Sequence, residues 1–484
     1  MTDQIGAQES GSRSGFFSLR GNRIARAFRD LTGAARIAIT RTIRPNLPDD
    51  DLKWLRARID ECLAARGGEV AARAIAAEIG RYYLMMNDTG RQRFLHLLAS
   101  QYGVDHAAVR TLALELEHAT GNALIAAEEA LRDLLESPRL RILKRFNGVA
   151  GGVKFLVDLR ADLLRLARND ASLAPLGREL RILLASWFDA GFLELRSIGW
   201  DAPAALLEKL IAYEAVHEIR SWSDLKNRLD SDRRCFAFFH PAMPGEPLIF
   251  VEVALVNGMA ANVQKLLDET SPLRNAEDAD TAIFYSISNA QAGLAGVSFG
   301  EFLIKRVVGE LQREFPKLKT FATLSPIPGF AAWLSQACAS GRISMLLPVA
   351  ETLQMTAIAG VDQAEAALAG LLADKSWPDD PRKSMALRAP LMRLCAQYLF
   401  HERAPAGNRA LDSVAHFHLS NGARIERLNW MGDPSGKGMT QSHGMMVNYL
   451  YRLGDVEKNY ERYTNGHIAA SPAIRDSSGS GLIG

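Results

Sequence analysis

What this chain lacks narrows its class first. No apolar run approaches the roughly twenty residues that a membrane-crossing helix needs, and the N-terminus has no uninterrupted signal-peptide core. The expectation is a soluble protein with no membrane partner. Charge of one sign is missing as well. The 57 Lys and Arg residues stand against 55 Asp and Glu residues, so no global field argues for nucleic acid or an anionic surface. Cysteine is scarce, and Cys62, Cys235, Cys338 and Cys395 lie far apart, which excludes C-x-x-C zinc or redox motifs and suggests a reducing compartment. The nucleoside-triphosphate loop G-x-x-x-x-G-K-[ST] is absent.

What is present divides by period. Residues 1–45 are rich in Gly, Ser and Arg and read as a flexible arm; Asp3, Glu9 and Asp30 argue against a mitochondrial presequence. The chain ends Gly-Leu-Ile-Gly rather than Ser-Lys-Leu, so the expected location is a bacterial cytoplasm. Over 46–190 the pattern is helical. Leu176, Leu180, Leu183, Leu184, Trp187 and Phe188 form one apolar stripe, and Leu124, Ala127, Leu131, Leu134 and Leu135 form another. Breaks at Gly67-Gly68, Asn87-Asp88, Gly103, Gly121, Pro138 and 148–152 predict seven or eight helices in a bundle that serves packing and subunit contact. Residues 191–466 change character. Stretches 234–240, 248–256, 281–288 and 320–325 read as strands, with helices near 203–215, 221–229, 260–267 and 298–315. An alanine-rich helical insertion is expected at about 341–402, a strand over 414–419, and a flexible tail over 467–484. The fold class is therefore α+β in two domains, an all-α bundle followed by a mixed α/β domain.

The chemistry concentrates in 281–334, which reads as strand, glycine-rich turn, long helix, strand and a proline-bounded turn. Gly293, Gly296 and Gly300 permit close backbone approach to a ligand, and the free N–H groups of the helix that follows would form a phosphate cradle. Val297, Ser298, Phe299 and Gly300 are the candidate binding residues. This turn fits no G-x-G-x-x-G spacing; it resembles the pyrophosphate turn of the Gcn5-related N-acetyltransferase superfamily, although Ala295 and Ser298 depart from that pattern. Ser325 precedes Pro326, while Pro328 and Gly329 turn the chain directly afterwards, so its hydroxyl sits in a stiff frame. It does not lie in a G-x-S-x-G elbow, which argues against a hydrolase of that type at this serine. On a strand, His416 and His418 would share a face and could chelate zinc, but no third ligand is apparent and no metal is expected.

In order and spacing, the segments at 240–255, 284–288, 302–308, 311–316, 324–330, 414–423, 429–433 and 448–451 resemble the malonyl-CoA decarboxylase family. The similarity runs from about Asp49 to about Tyr451 and is strongest after Arg234. It implies a helical N-terminal domain joined to an acetyltransferase-like catalytic domain, and a homo-oligomer, dimer or tetramer, built through the helices. It also implies malonyl-CoA as substrate, acetyl-CoA and carbon dioxide as products, and no organic cofactor or metal, because the thioester carbonyl itself accepts the electrons. The implied roles fall on Ser325, which would orient the carboxylate, and on His418, which would titrate near neutrality and protonate the enolate. Tyr451, read as a helical residue, would donate to the thioester oxygen. Several relatives carry glutamate where this chain has Ser298, and some form thiol links between subunits, for which no matching pair is evident here. Two alternatives stand beside this reading: a coenzyme A-dependent N-acyltransferase, and a catalytically degenerate oligomeric coenzyme A-binding protein. Lys305 and Arg306 are expected to be solvated or paired with Glu301 or Glu310.

Overall fold

The computed structural model describes residues 41–297, 303–405 and 407–479. Nearly all of the Arg-rich arm lies outside the described residues, as do Ser298, Phe299, Gly300 and Glu301. The chain separates into two compact units. Among the described residues, the first comprises 41–193 with His240–Gly245 and 291–297, and the second Glu194–Phe239, Glu246–Ala290, 303–405 and 407–479.

Eight α-helices make up the described part of the first unit: Asp49–Ala64, Gly68–Met85, Asp88–Gln101, His106–His118, Asn122–Leu135, Pro138–Arg145, Gly152–Leu166 and Ala174–Trp187. Their starts follow local chemistry. Asn87 accepts the Gly90 amide, Asp105 accepts those of Ala107 and Ala108, and Ser137 accepts that of Leu140 with Pro138 in the first turn. Of the first stripe, Leu176, Leu180, Leu183, Leu184 and Phe188 are buried as the spacing predicts, and Trp187 is half-buried. The second stripe behaves differently. Helices His106–His118 and Asn122–Leu135 pack on each other, yet neither contains a buried residue, and Leu114, Ile125 and Leu135 are exposed.

The second unit is built on one mixed sheet. Its strands are β1 (Glu194–Ile198), β2 (Arg233–Phe239), β3 (Ile249–Val256), β4 (Thr281–Asn289), β5 (Thr320–Thr323), β6 (Ser325–Pro326), β7 (Arg424–Asn429) and β8 (Met446–Tyr451). They lie in the order β1-β2-β3-β4-β5-β8-β6, and β7 pairs with β8. All pairings are antiparallel except β4 with β5, which runs parallel from Thr281↔Thr320 to Phe284↔Thr323 and then stops. Beyond that point β4 continues beside β3, while the chain after β5 turns aside to pair with β8. The two strands therefore part just where Ser325 begins. Ile283, Tyr285, Ala322, Leu324, Met446 and Leu450 pack into a core on one face. Alternation sends Thr323, Ser325, Tyr449 and Tyr451 to the other.

Four expectations need correction here. The segment 414–419 is helical, because Asp412 accepts the amides of Val414 and Ala415 and caps a helix, Ser413–Ser420, whose residues would otherwise suit a strand. Residues 260–267 form turns rather than a helix, since the Val263 amide donates to the Gly432 carbonyl and the Asn262 side chain to the Met431 carbonyl. The tail contains a helix, Pro472–Ser477, started by Ser471 and Pro472 and anchored through buried Ile474. Tyr451 lies on strand β8, not on a helix. The insertion is helical as expected, with Val349–Ala359, Ala364–Ala373 and Pro381–His401 its principal elements.

Candidate active site

Three residues from distant parts of the sequence meet in one buried chain of hydrogen bonds. Ser325 opens β6, His418 lies in the second turn of the helix Ser413–Ser420, and Tyr451 ends β8. Ser325 Oγ lies 3.0 Å from His418 Nε2, and His418 Nδ1 lies 2.8 Å from the Tyr451 hydroxyl. All three side chains are buried. Further along, Ser325 Oγ donates to Thr323 Oγ1 at 2.8 Å, and Thr323 Oγ1 also accepts the Tyr449 amide at 3.1 Å. The short gap between β5 and β6 is thus bridged by a side chain, which places two hydroxyls on the face opposite the core. Asn448 completes the bridge by donating to the Thr323 carbonyl at 2.6 Å and to the Ala260 carbonyl at 3.0 Å.

Burial sets the protonation states. Removed from water with no anion beside it, the His418 imidazole is pushed down to about 3, so it is neutral across the physiological range. This corrects the expectation of an imidazole titrating near neutrality. The same burial raises the Tyr451 phenol far above its ordinary value and keeps it protonated. Because Ser325 donates its hydrogen to Thr323, its oxygen is left to accept from Nε2–H, and the bare Nδ1 then accepts from the Tyr451 hydroxyl. The imidazole also stacks on the Tyr449 ring at 4.5 Å and 24°, which fixes its plane. The Tyr449 hydroxyl is buried without a hydrogen-bond partner among the described residues.

The other candidates separate. Two positions along a helix turn a side chain by about 200°, so His416 faces away from His418. Its Nδ1 lies 2.8 Å from the Tyr463 hydroxyl, which accepts the Ala410 amide at 2.8 Å. The shared face assumed for a zinc pair does not exist, and no metal-binding cluster occurs among the described residues. Val297 is buried, and its amide donates to the Leu294 carbonyl at 2.9 Å within a turn in which Gly296 has φ of +73°. That amide is engaged within the turn. Ser298, Phe299 and Gly300 lie outside the described residues. Lys305 pairs with Glu457 at 2.9 Å, and the Arg306 guanidinium lies 5.3 Å from the Phe238 ring centre. All four cysteines are free thiols, with Cys62, Cys235 and Cys395 buried.

Sequence reasoning missed Thr323, Tyr449 and Asn448. The strand alternation carried a signal for the first two, since Thr323 shares a face with Ser325 and Tyr449 shares one with Tyr451.

Comparison with known proteins agrees across sequence and structure. Residues 191–480 match the family described as the malonyl-CoA decarboxylase C-terminal domain, and residues 102–188 match the malonyl-CoA decarboxylase N-terminal domain. Mitochondrial malonyl-CoA decarboxylase of Anser anser anser is 42% identical over 419 residues, covering 82% of this chain and 82% of that protein. The crystal structure of malonyl-CoA decarboxylase from Rhodopseudomonas palustris is similar with a TM-score of 0.80 and 41% identity, covering 88% of this chain and 99% of its own. That from Cupriavidus metallidurans is similar at 0.69 and 45%, covering 88% and 100%.

Proposed function

The chain belongs to the malonyl-CoA decarboxylase family, and from that premise we propose that it converts malonyl-CoA to acetyl-CoA and carbon dioxide at Ser325, His418 and Tyr451. The observation that carries this reading is the buried hydrogen-bond chain from Tyr451 through His418 to Ser325, beside the point where β4 and β5 part.

In the reaction the bond between the α-carbon and the carboxylate carbon breaks, carbon dioxide leaves, and the electron pair passes into the thioester carbonyl as an enolate. A proton then adds to the α-carbon. Ser325 orients the carboxylate out of the thioester plane, where the breaking bond overlaps the carbonyl. A neutral His418 suits this step. An imidazolium would form an ion pair with the carboxylate and stabilise the ground state, whereas a neutral N–H holds the serine without that penalty. The thioester enolate is a stronger base than an alkoxide or an imidazolate, so neutral donors can protonate it. Ser325 gives up its proton and is resupplied from His418 Nε2 while Tyr451 donates to Nδ1, and one proton taken up from water after carbon dioxide leaves returns the relay to its neutral state. The reading assigns the coenzyme diphosphate to the sequence around Ser298, Phe299 and Gly300, and requires no organic cofactor or metal.

The helical region 46–190 is assigned to homo-oligomerisation, supported by the exposed Leu114, Ile125 and Leu135 on two helices that bury no residue. The free thiols support a reducing compartment, and we place the enzyme in the bacterial cytoplasm. Incubation of pure protein with malonyl-CoA alone tests the activity: release of carbon dioxide and acetyl-CoA, unaffected by a chelator, is expected. Inert malonyl-CoA, with acyl transfer appearing once an amine is added, would overturn the reading.

A further inference from the structure

One carboxylate outside the hydrogen-bond chain touches two of the three segments that carry it, those of Ser325 and His418. Asp412 is 2% exposed, and no cation pairs with it among the described residues. Its Oδ1 accepts the amides of Val414 and Ala415, each at 3.0 Å, at the start of the helix that bears His418. Its Oδ2 accepts the Gly329 amide at 3.2 Å and the Tyr398 hydroxyl at 3.3 Å. Gly329 closes the turn that follows Ser325, and prolines 326 and 328 leave that turn little freedom. A Cβ on Gly329 would fall 2.1 Å from the Tyr398 hydroxyl, so the turn is pressed against this latch without slack. Burial raises the Asp412 carboxyl from its ordinary value although four hydrogen bonds oppose the shift. An ordinary helix cap needs only the Oδ1 contacts. The second oxygen serves the serine's segment instead.

We propose that Asp412 is a positioning residue that sets the spacing between Ser325 and His418, a role that rests on the reading above in which the pair acts on malonyl-CoA. It binds no substrate; it fixes two backbones, 83 positions apart, to one rigid group. A misplacement of about 1 Å in such a site costs about 10²-fold in rate.

The test uses the full-length enzyme and Asp412→Asn, whose amide oxygen can still cap the helix but whose amino group faces the Gly329 amide. We expect kcat to fall about 10²-fold with KM for malonyl-CoA within about twofold. In a Ser325→Ala background, where there is no hydroxyl to place, the same change should lower the residual single-turnover rate by less than a tenth of that factor. Should Asp412→Asn not fold, Gly329→Ala probes the turn arm alone, and Tyr398→Phe added to it should restore rate by removing the hydroxyl the new methyl strikes. Equal losses in both backgrounds, or an unaltered kcat, would overturn the positioning role. A wild-type enzyme inert toward malonyl-CoA would instead overturn the functional reading beneath it.

Discussion

The helical unit and the Ser325 site both bury polar groups, and they do it in opposite ways. Among the helices, several buried charges meet an opposite charge. Arg139 holds Glu179 through contacts of 2.9 and 2.7 Å, Asp51 takes Arg44 at 3.1 Å, and buried Glu78 pairs with Arg58. Around Ser325, buried Thr323, Ser325, His418, Tyr449 and Tyr451 carry no charge and are bound to one another by neutral hydrogen bonds and a stacked ring. Paired charges fix the register of helices at modest net stability. A neutral polar cluster holds its geometry without offering a counter-ion that would trap an anionic substrate.

The comparison breaks most visibly if the neutral cluster is cut. Ser325→Ala or His418→Gln is expected to lower kcat by about 10³-fold, within the range for loss of a positioned proton-transfer group, with circular dichroism unchanged. Near-normal carbon dioxide release from either variant removes that residue from the mechanism. Cutting a charge pair should do the reverse. Glu179→Ala leaves Arg139 buried and unpaired, and because Glu179 is about a quarter exposed we expect a loss of about 2–3 kcal/mol rather than the larger cost of a fully buried pair. Thermal unfolding measures it, and the kcat of the remaining folded enzyme should not move. Tyr451→Phe tests the outer link of the cluster. It removes the donor to Nδ1 but keeps the ring, so a roughly tenfold fall in kcat is expected, with KM little changed. A loss as large as that of Ser325→Ala would place Tyr451 on the reacting atoms.

Much of this arrangement is legible in the residues, and what is not has an identifiable cause. Strands β2 to β5 follow β-branched and aromatic alternation, and the stiff turn after Ser325 follows from Pro326, Pro328 and Gly329. The helix at Ser413–Ser420 is hidden in the sequence because Val414 and Phe417 favour strands and the two histidines are weak helix formers, while the decisive signal, Asp412 as a cap, is a single local contact. Tyr451 belongs to Asn448–Tyr451, too short a run to distinguish a strand from a helix without its partner strands β5 and β7. The protonation state of His418 was inaccessible for a different reason. It depends on burial, and burial arises only when Ser325, Tyr449 and Tyr451 converge from distant positions.

That protonation state yields the prediction with the smallest expected effect on rate. With the imidazole at about 3, kcat/KM should show no inflection near 6.5, where an exposed histidine titrates. The 3′-phosphate of coenzyme A titrates near pH 6, so the profile is best recorded with malonyl-pantetheine, in which only the protein titrates between pH 5 and 8. A flat profile is expected, and a fall below pH 6.5 that vanishes in His418→Gln would show the imidazole to be wet. Stability must then carry the opposite signature. The unfolded chain binds a proton at this histidine from about pH 6.5 downward while the folded chain resists it until about 3, so the unfolded state holds more protons across that window. The folded state therefore loses stability as pH falls through it, by up to about 1.4 kcal/mol per pH unit from this one group. His418→Gln should flatten that slope in denaturant titrations, although it lowers turnover by about 10³-fold. A rate indifferent to pH and a fold sensitive to it would share one cause, the exclusion of water from the imidazole.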